Sequence, residues 1–227
     1  MAGLVLVEEQ RVEKPSEQFA VDVEIRVKGA DDPAFRYVGR GGLKLEAALR
    51  EFAVDVFGIT CLDVGASTGG FTDCLLQHGA ARVIAVDVGR NQLDWRLRTD
   101  PRVSVHEGVN ARYLEPKAYG ELVDLAVMDV SFISVKKVLP AVIGQLTAGG
   151  RIITLIKPQF EVGRAEVGPG GIVTDPEKHS RVVQDVNNFA AQSGLCVSGT
   201  IESPIKGADG NIEFLAFYER NQNDRLE

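Results

Sequence analysis

Apolar positions along the chain fall into two periods. At the start, "GLVLVEEQRVEK" and "VDVEIRV" alternate apolar and polar residues around a Lys14-Pro15 turn, which predicts two short strands, too little to bury a core of their own. The loop-like "GADDPAF" follows, with a boundary near residue 31. In "GLKLEAALREF", Leu45, Leu49 and Phe52 recur at helical spacing. Strand and helix patterns then alternate. "ITCLDV" (59–64), "RVIAVDV" (82–88), "RVSVHEG", "VDLAVMDV" (123–130) and "RIITLI" read as strands. "GFTDCLLQHG", "RNQLDWRLR", "SVKKVLPAVIGQL" and "DPEKHSRVVQDVNNFAAQSG" read as helices. Pro140 kinks or interrupts the third, while the fourth is capped by Asp175, entered through Pro176 and stopped at Gly194. Such alternation predicts an α/β fold, a mostly parallel sheet with helices on both faces.

The last two strand patterns, "LCVSGTIESPI" and "NIEFLAFYER", are joined by "KGADGN", too short for a crossover helix. They therefore form an antiparallel hairpin, making the last strand antiparallel. With the first of them parallel to the rest, the turn and Glu213 lie at the carboxyl edge of the sheet, where open α/β sheets bind ligands.

Composition narrows the setting. A chain of 227 residues, 44% of them hydrophobic, holds one sizeable α/β domain. Three distant cysteines, Cys61, Cys74 and Cys196, have no CxxC spacing and no nearby histidine pattern, which argues against a disulfide framework or metal site and fits a reducing cytosol. No window reaches the ~18 apolar residues of a membrane span, so a cytoplasmic location is expected. The net charge of −7 disfavours a nonspecific polyanion binder. Charge is uneven, however: residues 36–50 carry four basic groups against Glu46, and residues 90–112 carry five arginines against three acids. Arg36, Arg40 and Arg90 in these stretches are candidate nucleic-acid contacts, with solvated surface charge as the plain alternative.

"LDVGASTGGF" (62–71) follows a strand and opens a helix. Glycines there let the backbone approach a ligand closely, and Asp87 ends the next strand 22 positions after Gly65, placed for two ribose hydroxyls. Together they indicate a nucleoside cofactor. The middle position of a dinucleotide fingerprint is Ser67, and no Walker lysine follows. The spacing D-x-G-x-x-x-G-G instead resembles the first motif of S-adenosylmethionine-dependent methyltransferases.

Four charged groups converge on the same edge. "VMDVSF" delivers Asp129, "TLIKP" Lys157, the hairpin Glu213 and "GGLKL" Lys44. Two lysines and two carboxylates partly neutralise one another, which makes partial burial tolerable. Singly, each also fits a snorkelling lysine or a capping acid.

The stretches "YVGRGGLKL", "LDVGASTGGFTD", "AVDVGRNQLDWRLRTDPRV", "MDVSFIS", "LIKPQFEVGR" and "GNIEFLAF" resemble the hemolysin A-type (TlyA-type) ribosomal RNA methyltransferases, a branch of the FtsJ-like 2′-O-ribose methyltransferases, over roughly residues 1–220. The resemblance implies a Rossmann-like S-adenosylmethionine-dependent fold and a catalytic tetrad of Lys44, Asp129, Lys157 and Glu213. Lys157 would be base or hydroxyl orienter, Asp129 and Glu213 its positioning partners, and Lys44 an electrostatic tuner that also touches phosphate. Implied cofactor contacts are Asp63, Gly65, Ser67, Gly69, Gly70, Phe71, Asp87 and, on the adenine side, Asn110. The implied partner is ribosomal RNA or a ribosomal subunit, with no membrane and no metal. Residues 1–30 look like the second half of an S4-type RNA-binding domain, 31–41 a linker, 42–220 the methyltransferase domain and 221–227 a polar tail. Competing expectations are an RNA-binding factor with reduced or lost activity and, with less physical support, a membrane-lytic hemolysin.

Overall fold

A computed structural model gives the structure of the chain and describes residues 5–8, 10–12, 14, 16–27, 35–207 and 210–221. Residues 31–34 of the expected linker, Ala208 and Asp209 of the hairpin turn and residues 222–227 of the expected tail lie outside the described residues. Two compact units are present, Met1–Arg36 and Tyr37–Glu227.

In the first unit, β1 (Val5–Val7), β2 (Gln10–Arg11) and β3 (Ile25–Val27) form an antiparallel sheet in the order β2-β1-β3. The first alternating run yields two strands rather than one because Glu8 takes a left-handed φ of 48° and turns the chain back.

The second unit starts inside the expected linker. Tyr37 is buried, and Val38 N–H donates to Asp73 Oδ2 at 2.8 Å. Then come α1 (Gly41–Glu51), β4 (Thr60–Val64), α2 (Gly70–Gln77), β5 (Arg82–Asp87), α3 (Trp95–Arg98), β6 (Val103–Glu107) and β7 (Val123–Met128). They are followed by α4 (Leu139–Ile143), β8 (Leu146–Ile156), α5 (Pro158–Glu161), α6 (Pro176–Gln192), β9 (Leu195–Glu202) and β10 (Phe214–Arg220). The stretch containing Pro140 divides into a 3-10 turn, Val135–Lys137, and the short α4 with proline in its first turn, where no backbone N–H is needed. At α6, Asp175 accepts the Glu177 N–H at 2.9 Å, the cap its sequence promised.

The seven strands of this unit run β6-β5-β4-β7-β8-β10-β9, with β10 antiparallel to both neighbours and the other pairings parallel. Side chains alternate across the sheet: Cys61, Leu125, Ile153 and Leu215 face α1 and α2, whereas Leu62, Ala126, Ile152 and Ala216 face α4 and α6. Fully burying a leucine such as Leu45 on one face or Leu139 on the other contributes about 1.5–3 kcal/mol, so both faces hold the sheet firmly. Strand order reverses between β4 and β7. That switch point opens a crevice at the carboxyl ends of the strands.

Candidate active site

The glycine turn sits at the switch point. Gly65 N–H donates to Val86 O at 2.8 Å, and a Cβ at Gly65 would lie 2.4 Å from Asp129 O. With φ at 86° as well, glycine alone lets the end of β4 pass this close to the end of β7. A Cβ at Gly70 would lie 2.9 Å from Gly42 N, so glycine there lets the starts of α1 and α2 meet. Ser67 takes a left-handed φ of 49° and gives its N–H to Asp87 Oδ2 at 2.8 Å, while Gly89 N–H reaches Oδ1 at 2.6 Å. The Asp87 carboxylate thus ties the first turn to the second.

Three recesses line the strand ends. One of about 330 Å³ has apolar walls that include Val64, Val86 and Ile133, with Asp87 and Asn110 among its polar groups. Asn110 Oδ1 also accepts the Arg112 N–H at 3.2 Å, which holds its loop. A second recess of about 310 Å³ is bordered by Lys44, Asp129, Lys157 and Glu213 together with Gly70 and Phe71. The two share Gly65, Ser67 and Asp129. A third, of about 300 Å³, shares Lys157 and Glu213 with the second and adds Phe132 and Phe160.

All four expected tetrad residues therefore meet. Asp129 lies one residue past β7, Lys157 one past β8 and Glu213 one before β10, and the register Phe214↔Ile156 sets the last two side by side. Lys44 projects from the first turn of α1. Lys44 Nζ lies 2.5 Å from Glu213 Oε2, with side chains 9% and 4% exposed. Lys157 Nζ lies 2.5 Å from Asp129 Oδ1 and donates to Ser131 Oγ at 2.9 Å. Each buried lysine is balanced by a carboxylate at contact distance, which is what makes its burial supportable.

Asp63 and Gly69, expected to touch the cofactor, border none of the three recesses. Strand alternation turns Asp63 to the same face as Cys61, beneath α2, where Oδ2 accepts the Thr72 hydroxyl at 2.7 Å. Oδ1 is buried with no hydrogen-bond partner. Desolvation pushes this carboxyl up to about 7 against the pull of the Thr72 hydroxyl, and the Asp129 charge adds to the rise. Gly69 caps α2 from behind.

Of the expected RNA contacts, Arg40 is exposed and borders the tetrad recess. Arg90 is exposed beside Gly108, away from the tetrad. Arg36 is exposed and belongs to the first unit. Within residues 90–112, Arg96, Arg98 and Arg102 pair with the three acids of that stretch, Asp94, Glu107 and Asp100, so its net positive charge rests on Arg90 and Arg112.

Sequence reasoning missed Phe132. It is 91% exposed in a left-handed conformation, φ 64°, with its ring 5.2 Å from that of Phe160. A large apolar side chain held open to solvent by an unfavourable backbone is a ligand-binding signature. The aromatic three residues past a strand-ending aspartate was the only sequence signal. Among the described residues, no group of His, Cys, Asp and Glu could hold a metal ion, and no helix is long and apolar enough to cross a membrane.

A glycine turn and a carboxylate on adjoining strand ends, in a parallel sheet closed by an antiparallel hairpin, define a Rossmann-like methyltransferase with S-adenosylmethionine as methyl donor. The residues present suit that donor: a mainly apolar recess with Asp87 and Asn110 matches an adenosine, and it adjoins the Gly65–Phe71 turn. The chain belongs to the FtsJ-like methyltransferase family, which matches residues 37–220. It is similar to the 16S/23S rRNA (cytidine-2′-O)-methyltransferase TlyA of Mycobacterium tuberculosis, with 46% identity over 224 residues, 99% of this chain and 82% of that protein. Hemolysin A of Brachyspira hyodysenteriae is 45% identical over 184 residues, 81% of this chain and 77% of that one. A solved Streptococcus thermophilus protein superposes with a TM-score of 0.83 at 48% identity, covering 97% of this chain and 80% of that one.

Proposed function

We propose that this chain transfers a methyl group from S-adenosylmethionine to a ribose 2′-hydroxyl of ribosomal RNA, acting in the cytoplasm on free RNA or assembled subunits. The observation that carries this reading is the pair of buried lysines, each in contact with a carboxylate, around one recess beside the cofactor turn. The cytidine 2′-O-methylation of 16S and 23S rRNA in the name of the Mycobacterium relative supports the substrate class.

Bound S-adenosylmethionine supplies a methyl group already electrophilic on its sulfonium, so the protein has mainly to place a hydroxyl in line and take its proton. Asp87 and Asn110 hold the nucleoside part, Gly65, Ser67, Gly70 and Phe71 face the amino acid part, and Asp63 and Gly69 support the turn from beneath. Lys157 donates to Ser131 and is held by the Asp129 charge at 2.5 Å. A further N–H orients the acceptor hydroxyl, and the nitrogen lone pair takes the hydroxyl proton once Lys157 is neutral. Lys44, fixed by Glu213, adds positive charge to the recess wall. Arg40 at the mouth meets backbone phosphate, with Arg36 and Arg90 further contacts, and Phe132 offers its open face to a base.

The test is tritium transfer from labelled S-adenosylmethionine to ribosomal subunits and to protein-free rRNA, followed by 2′-O-methyl mapping. Label in an alkali-resistant ribose-methylated dinucleotide is expected. Label confined to a base or to protein overturns the reading.

A further inference from the structure

Two segments carry the reacting side of the site. The one after β7 holds Asp129, Ser131 and Phe132 and then enters the 3-10 turn capped by Ser134. The one after β8 holds Lys157 and, in α5, Phe160 and Glu161. They face each other through successive contacts: Lys157 with Asp129 and Ser131, the Phe160 ring with Phe132, and lastly the Glu161 carboxylate. Glu161 Oε2 accepts the Ser134 hydroxyl at 2.6 Å, and Oε1 accepts the Val135 N–H at 2.7 Å. Ser134 Oγ in turn accepts the Lys136 N–H at 3.2 Å, so one carboxylate anchors the whole start of that turn.

Glu161 borders none of the three recesses. Sheet pairing at Met128↔Thr154 joins the near ends of the two segments, and Glu161 joins their far ends. The Lys157–Asp129 contact lies between these two ties. A surface cap would need only one exposed acceptor; here burial holds the carboxyl above its usual range, opposed by its two hydrogen bonds and by Lys136 and Lys137. A desolvated carboxylate kept for two donors on the facing segment marks a fastening rather than a solvent-facing charge.

We propose that Glu161 is a positioning residue for Lys157, fastening the two segments so that the lysine stays aimed at the acceptor hydroxyl; this rests on the methyl-transfer reading above. Displacing a reacting group by ~1 Å costs ~10²-fold in rate, so loss of the fastening is read mainly in kcat.

Glu161→Ala, assayed well below its own Tm, should lose about 10- to 100-fold in kcat, while KM for RNA and Kd for S-adenosylmethionine stay within about threefold. Glu161→Gln keeps a carbonyl for the Val135 N–H and an N–H₂ able to donate to Ser134 Oγ, and should recover to within about fivefold. It also serves if the alanine variant does not fold. Independently of methyl transfer, the Lys157 Cε signal of 13C-lysine-labelled protein, identified by its loss in Lys157→Arg, should shift in Glu161→Ala and return in Glu161→Gln. Wild-type kcat with an unmoved Lys157 signal in Glu161→Ala overturns the proposal, as does a glutamine variant as slow as the alanine one. If the wild type places no methyl on ribose, the methyl-transfer reading fails, and the lysine signal still decides whether Glu161 positions Lys157.

Discussion

Two lysines meet two carboxylates at this site over the same 2.5 Å, and their surroundings separate them. Lys44 and Glu213 join α1 to β10 with both side chains almost fully out of water. Lys157 and Asp129 join the ends of neighbouring strands, and Asp129 keeps 22% of its side chain exposed while Ser131 gives the lysine another partner. In the first pair both partners are shut from water and shape the wall. In the second the carboxylate stays partly open at the mouth, where a hydroxyl can enter.

The largest effect should fall on the open pair. Lys157→Ala is expected to lower methyl transfer by about 10³-fold, within the range for losing a positioned proton acceptor, while calorimetry finds S-adenosylmethionine binding within a few fold. Undiminished turnover with intact binding would remove Lys157 from the chemistry.

Stability should respond in the opposite order. Glu213→Ala leaves the Lys44 ammonium buried without its partner and should cost about 3–5 kcal/mol in urea unfolding. Replacing both groups, as Lys44→Met with Glu213→Leu, should restore most of that stability without restoring activity. Asp129→Ala should cost clearly less, because water and Ser131 remain for Lys157. Equal losses for Glu213→Ala and Asp129→Ala would erase the distinction between the pairs.

Beneath Asp129, Asp63 sets a pH dependence of its own. Its folded value of about 7 lies above the ordinary 3.8, so between those values the folded chain keeps a proton that the unfolded chain has lost. Its contribution to stability therefore falls as pH rises from about 4 to 7 and levels off above, by of order 2–4 kcal/mol. Asp63→Asn, which can still accept the Thr72 hydroxyl, should flatten that fall, as measured by urea midpoints at pH 5 and pH 8. Parallel curves for the two proteins would mean that Asp63 ionises normally.

The smallest effect is expected at the mouth. Arg40→Ala should raise KM for RNA about three- to tenfold and reduce the salt dependence of binding by about one phosphate contact, with S-adenosylmethionine affinity unchanged. A change in kcat alone would move Arg40 from the substrate path to the tetrad.

Much of this arrangement was legible in local patterns. The glycine turn, the strand-ending Asp87, Asp129 and Lys157, and the hairpin returning Glu213 all follow from short stretches whose backbone preferences come from nearest neighbours. Glu213 lies at the carboxyl edge, as a short hairpin requires, because β9 runs parallel to β8. Other features were not legible. The contact of Asp63 with Thr72 beneath α2 had no local signal, and the single run at residues 5–11 gave two strands because Glu8 adopts a left-handed turn. Residues 90–112 read as five arginines offset by three acids, but that Arg98 meets Glu107, nine positions on, is set by the fold.

The amino-acid sequence alone determined the alternation of strand and helix and which polar groups end the strands of the site, since period, caps and turn residues act over a few positions. Tertiary structure decided the partners. Lys44 and Glu213 are 169 residues apart and meet only because β10 inserts between β8 and β9 with a particular register. Ion pairing, burial and the fastening by Glu161 depend on distances across the fold, and distance in space is not written in spacing along the chain.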